Sequence, residues 1–204
     1  MRGRDIKRYS YDWADLWLIA TFPSRHYNID DYSSVKNFLL SFGMERLEQT
    51  GTTHIINGQK VQSRKKTNNK WFEVQDSISY WEDFDKPKIV WTPVNSEYRF
   101  AVIPEKFIFN NSLFMITGTQ YLNFMCCVLN SNVLQLYFSF FTRDNYQYGS
   151  GDFFEKIPIP TPTKETDEKF SQWITDTKKI NLINNEIYSL YGLTAEEIKY
   201  IENI

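Results

Sequence analysis

A chain of 204 residues with 23 Lys and Arg against 25 Asp and Glu carries a formal charge of −2. That balance excludes a protein cationic over its whole surface, so any surface for a polyanion must be local. The length allows one large domain, or one domain with an appendage, and a sizeable core, for which 16 Phe, 13 Tyr and 6 Trp supply aromatic bulk.

The chain opens on a compact charged segment, Arg2–Tyr9, with no apolar core of signal-peptide kind behind it. Asp15–Phe22 (DLWLIATF) is a short apolar run and predicts a buried strand ended by Pro23. Tyr32–Glu48 predicts a helix capped by Ser33 or Ser34. Val35, Phe38, Leu39 and Phe42 form its inner face, and Gly43 weakens it. Asn57-Gly58, flanked by Ile55-Ile56 and Lys60-Val61, is a hairpin signal.

Lys88–Thr92 alternates and is rich in β-formers, which predicts a strand stopped by Pro93. Phe100–Ile103, Phe107–Phe109 and Leu113–Thr117 predict three more. Tyr121–Leu129, with Thr119 as its cap, predicts a helix buried on nearly all sides. Asn130-Ser131-Asn132 breaks it, and Val133–Phe141 resumes as helix or strand, which periodicity leaves open. Arg143–Gly151 (RDNYQYGSG) predicts a flexible loop. Ile157–Pro162 (IPIPTP) predicts an extended, stiff exit, because three prolines lack backbone donors.

A long helix is expected from about Glu165 to Tyr191. Phe170, Trp173, Ile174, Thr177, Ile180, Ile183, Ile187 and Leu190 stand at helical spacing along it, and Gly192 ends it. Thr194 and Glu197 form the capping box of a short last helix, with Leu193 and Ile198 as its staple. The sum is an α+β fold: a twisted, mainly antiparallel sheet with flanking helices and a C-terminal helical appendage, divided at 1–162 and 163–204.

The chain is organised around Lys60–Pro93. From Thr50 to Phe72 there is no acid, while Lys60, Arg64, Lys65, Lys66 and Lys70 are cationic. Behind them stand Trp71, Phe72, Tyr80, Trp81, Phe84 and Trp91, of which Trp71, Trp81 and Trp91 read as core anchors beside strands. A cationic loop on a rigid base suits a polyanion, because phosphates reward charge and bases need fixed geometry. Against this stands the plain alternative of a solvated loop over an ordinary core.

Four stretches also carry a resemblance. They are R-G-R-D-I-K-R-Y at 2–9; W-F-E-V-Q, Y-W and F-x-K-P-K-I-V-W within 71–91; V-L-N-S at 128–131 followed by I-P-I-P at 157–160; and E-I-Y-S-L-Y-G-L-T-A-E-E-I at 186–198. In this order the chain resembles the TaqI-like C-terminal specificity domain, the target-recognition domain of type IIG restriction-modification enzymes and related DNA adenine methyltransferases. The resemblance implies sequence-specific recognition of double-stranded DNA on behalf of a methyltransferase domain. That domain would lie upstream, bind S-adenosylmethionine and perform base flipping and methyl transfer. Met1 directly before the opening motif fits a fragment lacking it. Two rival readings are half of a type I specificity subunit, and a protein-interaction module with no DNA role.

The catalytic motifs of that family are absent. No two prolines are adjacent, as an Asn-Pro-Pro-Tyr type loop requires, and Gly149-Ser150-Gly151 is a loop rather than a cofactor turn. Acid-x-Lys pairs such as Asp5/Lys7 and Glu197/Lys199 are common by chance and no Pro-Asp precedes them, so no nuclease centre is read from them. His26 and His54 lie far from the cysteines, so neither a zinc site nor any cofactor is expected in this chain. Cys126 and Cys127 read as buried thiols of a reducing cytoplasm. The apolar run Phe124–Leu129 is too short to cross a membrane.

Recognition remains, and the expected DNA-binding residues fall in three groups. Arg4 and Arg8 lie in the opening motif. Lys60, Arg64, Lys65, Lys66, Asn68, Asn69 and Lys70 lie in the basic segment. Arg143, Asn145, Tyr146 and Gln147 lie in the later loop. Arg, Lys, Asn and Gln are the side chains that read base edges and hold phosphates.

Overall fold

The computed structural model describes residues 1–92, 98–118, 120–142 and 154–203, the side chains at 141, 142 and 177 excepted. Thr119 and the later loop with Arg143, Asn145, Tyr146 and Gln147 lie outside the described residues. The chain divides into two compact units, one of Met1–Leu16 with Glu82–Ile204 and one of Trp17–Trp81. The fold is mixed α+β with small antiparallel sheets and helices at its C-terminal end, as the pattern of elements predicts.

The larger unit is built on three antiparallel strands. The strands β3 (Lys88–Trp91), β4 (Phe100–Ile103) and β5 (Phe114–Ile116) lie in the order β4-β3-β5. The central strand pairs Trp91 with Phe100 on one side and with Phe114 on the other. Every residue of β3 is buried, so both faces of the sheet are covered. Its alternation sorts the side chains: Ile89, Trp91 and Phe100 face one cluster, while Val90, Ala101 and Ile103 join Ile6 and Leu113 in another.

Helices cover the first cluster. They are α3 (Leu122–Asn130), α4 (Asn132–Thr142), α5 (Lys164–Trp173) and α6 (Ile180–Leu190), followed by a last helix, α7 (Ala195–Glu202), none of whose residues is buried. The segment 133–141 that periodicity left open is therefore helix. Phe124 of α3 stacks on Phe170 of α5 at 5.8 Å between ring centres, and both are fully buried with Ile183 and Ile187. α5 and α6 thus pack their apolar stripe into the core of this unit. Tyr191 ties the proline-rich exit down by donating to the Pro158 carbonyl at 2.8 Å. Gly192, at φ 66°, closes α6, and Thr194 with Glu197 forms the expected capping box of α7.

The smaller unit holds α1 (Ser33–Leu40), α2 (Met44–Leu47) and a hairpin of β1 (Thr53–Ile56) and β2 (Gln59–Gln62). Its buried residues mix apolar Phe22, Ile29 and Phe72 with polar Thr21, Gln49, Ser63 and Glu73. Thr21 donates its hydroxyl to the Phe72 carbonyl at 2.7 Å, and its own carbonyl accepts from Val74 N at 3.0 Å.

Several expectations of local structure give way. Asp15–Phe22 is not a buried strand: Leu16, Trp17, Leu18 and Ile19 are exposed, Trp17 at 84 %, and Asp15 sits at φ 52°, which interrupts an extended run. The helix expected over Tyr32–Glu48 is two helices, because Gly43 at φ 88° lies between them. Phe38 and Phe42 do not face inward but pack edge to face on the surface at 5.2 Å. Phe107–Phe109 forms no strand.

The long helix from 165 breaks after Trp173. The Asp176 side chain accepts from Lys178 N at 3.0 Å and starts a 3-10 turn, Thr177–Lys179, a local bond that competes with the helix. Among the described residues no helix is long and apolar enough to cross a membrane.

Candidate nucleic-acid interface

The basic segment is reached through the hairpin. Asn57 and Gly58 both have positive φ, 48° and 78°, as a tight two-residue hairpin turn requires. Backbone pairing does not stop where β2 ends. Ser63 N donates to Thr52 O at 2.9 Å, Gly51 N to Arg64 O at 2.8 Å, Arg64 N to Glu48 O at 3.1 Å and Thr67 N to Gln49 O at 3.1 Å. The chain from Ser63 to Thr67 is therefore laced to 48–52 and then turns back through Asn68–Val74.

Side chains fix that return. Gln49 is buried and its amide nitrogen donates to the carbonyls of Lys70 at 2.9 Å and Glu73 at 2.8 Å. Its Oε1 accepts from Thr67 Oγ1 at 2.6 Å. Asn69 Nδ2 donates to Val74 O at 2.8 Å and Gln75 O at 3.2 Å. Glu73 is buried too, and its Oε2 accepts from Lys70 N at 2.7 Å. Arg64 donates through Nε and Nη2 to Leu47 O at 2.8 and 2.6 Å, through Nη1 to Glu73 O at 2.8 Å, and through Nη2 to Trp71 O. Burial lowers its pKa from the ordinary arginine value.

What is left points outward. Lys60, Lys66 and Asn68 are exposed, and none of their side chains has an ion pair or hydrogen bond among the described residues. Lys65 is exposed and paired with Asp76, itself exposed. Such a pair is screened and contributes little. Lys70 is exposed, with its ammonium 5.6 Å from the centre of the Phe72 ring. The other amide of the segment, Gln62, turns back onto Gly51 O at 3.0 Å and Thr53 Oγ1 at 2.6 Å.

Arg4 and Arg8 of the opening motif lie in the larger unit. Arg4 is exposed in the turn Gly3–Asp5. Arg8 donates to Asn130 O at 3.0 Å and to Asn132 Oδ1 at 3.2 Å. Asn132 in turn donates to Tyr188 OH at 3.3 Å and, through its backbone N, to Asn184 Oδ1 at 3.1 Å. Residues from the opening, V-L-N-S and C-terminal stretches therefore meet in one polar node that joins the opening segment to α3, α4 and α6. Arg2 and Asp5 are likewise joined, by a 2.8 Å ion pair that holds the Asp5 carboxyl below the usual carboxylate range.

Composition did not single out Gln49, which organises the loop from outside the basic run, nor Lys88. Lys88 is fully buried and donates to Phe84 O at 3.0 Å and Pro104 O at 3.3 Å. Burial lowers its pKa, against the pull of Asp85 and Glu105. Its place in F-x-K-P-K-I-V-W was the one signal that it is built in. His54 bonds Glu48, and no cluster of three potential metal ligands occurs among the described residues.

One unit is a helix-backed sheet, and the other presents a braced cationic loop. The chain matches the model of the TaqI-like C-terminal specificity domain over residues 1–159 and belongs to that family. Membership implies a DNA target-recognition role in methyltransferase-type enzymes. No curated protein matches the chain.

Proposed function

We propose that this chain recognises a short sequence in double-stranded DNA for an adenine-specific methyltransferase domain of a restriction-modification enzyme. The observation that supports it is the braced, acid-free loop of a TaqI-like specificity domain, whose lysines point outward while Gln49, Asn69 and Arg64 are turned in. Lys60, Lys65, Lys66 and Lys70 hold phosphates, which fixes register without reading sequence. Asn68 is the exposed amide of this segment whose side chain makes no hydrogen bond among the described residues, and asparagine is suited to an adenine edge. Arg143, Asn145, Tyr146 and Gln147 belong to the proposal as a second reading loop, and Arg4 as a further phosphate contact.

The chain itself carries no methyl transfer: its sequence has neither the glycine-rich cofactor turn nor the adenine-binding loop. S-adenosylmethionine belongs to the methyltransferase domain. Two measurements test this. Binding of a random duplex pool followed by selection should enrich one short sequence, and calorimetry with S-adenosylmethionine should show no binding at micromolar concentration. Enrichment of no sequence would remove the recognition role.

One feature favours a second reading, a protein-interaction surface. Trp17, Phe38, Phe42 and Ile55 of the smaller unit are more than half exposed, more apolar surface than DNA rewards. That reading predicts that the lysine substitutions leave DNA affinity untouched.

A further inference from the structure

We infer that Arg64, by type the strongest phosphate ligand of the basic segment, is a positioning residue that shapes the loop and touches no DNA. This rests on the recognition role proposed above. A phosphate contact needs guanidinium N–H groups aimed at solvent. Those of Arg64 are aimed at three carbonyls from two different stretches of chain, Leu47 on one side and Trp71 and Glu73 on the other.

The arrangement bridges the end of α2 to the return of the loop. No other side-chain type has five donors in one plane to do so, and a lysine ammonium offers three donors from a single atom. Gln49 and Asn69 bind the neighbouring carbonyls of Lys70, Glu73, Val74 and Gln75. Arg64 therefore completes a set of neutral and charged donors that converge on one backbone return. Without it, the carbonyls of Leu47 and Trp71 lose their side-chain donor and the stretch carrying Lys65, Lys66, Asn68 and Lys70 loosens. Affinity then falls because the loop must be ordered on binding, whereas the number of phosphates neutralised stays the same.

The test compares Arg64→Lys, Arg64→Ala, Asn69→Ala and Lys66→Ala in the whole chain, on a mixed-sequence duplex over a salt series, with amide hydrogen exchange across residues 63–75. If Arg64 positions the loop, Arg64→Lys behaves like Arg64→Ala. Both speed exchange across the loop by about tenfold or more and weaken binding, with the salt slope within about half a unit of the parent. Asn69→Ala, which removes no charge and leaves Arg64 in place, shifts exchange and affinity in the same direction. Lys66→Ala lowers the slope by about 0.9 and leaves exchange unchanged.

The inference is overturned if Arg64→Lys keeps parental exchange and affinity, or if Arg64→Ala lowers the slope by about 0.9 with exchange unmoved. It is also overturned if Asn69→Ala leaves exchange unchanged. Should the parent chain bind no duplex at all, the recognition reading fails, while the exchange measurements still decide whether Arg64 braces the loop.

Discussion

Asn130 takes both backbone groups of Phe100. Its Nδ2 donates to Phe100 O at 2.8 Å and its Oδ1 accepts from Phe100 N at 3.1 Å, with both residues fully buried. Phe100 stands on β4, at the edge of the three-stranded sheet, where no further strand among the described residues supplies partners. One side chain from the end of α3 does what a neighbouring strand would do, and Tyr9 N adds a second donor to Phe100 O at 2.9 Å. Asn130→Ala removes this pairing inside the core. A buried unsatisfied group costs about 1–3 kcal/mol, so urea unfolding should show a loss of at least about 2 kcal/mol with unchanged m-value. A midpoint equal to the parent's would mean that the edge finds other partners.

The C-terminal helices are part of the core of the larger unit, and their truncation should register there. Phe170→Ala deletes a fully buried ring and should lower stability by about 3–5 kcal/mol. Trp173 is half-buried and partly covered by Lys169, whose ammonium lies 4.9 Å from its ring, so Trp173→Ala should lower it by less. Equal losses, measured by thermal unfolding, would contradict the packing described.

Cys126 and Cys127 are fully buried, and burial pushes the Cys126 thiol up to about 12 and Cys127 higher still. A folded value raised above the unfolded one means that the native state holds its protons longer. Stability from these thiols is therefore present below about pH 8.5, the unfolded value, and fades as pH rises towards 12. At pH 8 a thiol-specific reagent should label neither cysteine in the native chain and both in denaturant. Rapid native labelling would place them at the surface.

Asp5 gives the opposite sign. Its hydrogen bonds and ion pair with Arg2 lower the folded pKa, so its contribution is present above the unfolded value of about 3.9 and is lost as pH falls through the folded one. Asp5→Asn should make unfolding below pH 4 less steep in pH. An unaltered acid transition would show that the pair contributes nothing.

How far the sequence revealed this architecture depended on whether a residue's role is local. Asn57-Gly58 announced its hairpin because positive φ at two successive positions suits few other pairs. Lys88–Trp91 and Phe100–Ile103 were legible from alternation and β-branching. Thr194 and Glu197 announced a capping box through a three-residue spacing.

Several of the failures trace to partners distant in sequence. DLWLIATF looks like a strand, yet a strand needs a ladder partner and nothing in the run says that one is missing. The stripe marked Phe170, Ile183 and Ile187, which are buried, but concealed the break, since Asp176 bends the chain while both helices pack apolar residues on the core. In the basic segment, composition could not sort the inward side chains from the outward ones. Arg64 and Asn69 differ from Lys66 and Asn68 in what stands behind them, Leu47, Trp71 and Val74, not in their own chemistry.

The central claim is that the outward lysines of the braced loop hold the DNA backbone. It is tested most directly by fluorescence anisotropy of a labelled duplex across a salt series, comparing the parent chain with Lys65/Lys66/Lys70→Ala. Each phosphate neutralised contributes about −0.9 to the slope of log affinity against log salt. The substitution should flatten that slope by about two to three units and weaken all duplexes alike. An unchanged slope and affinity would show that the loop does not touch DNA.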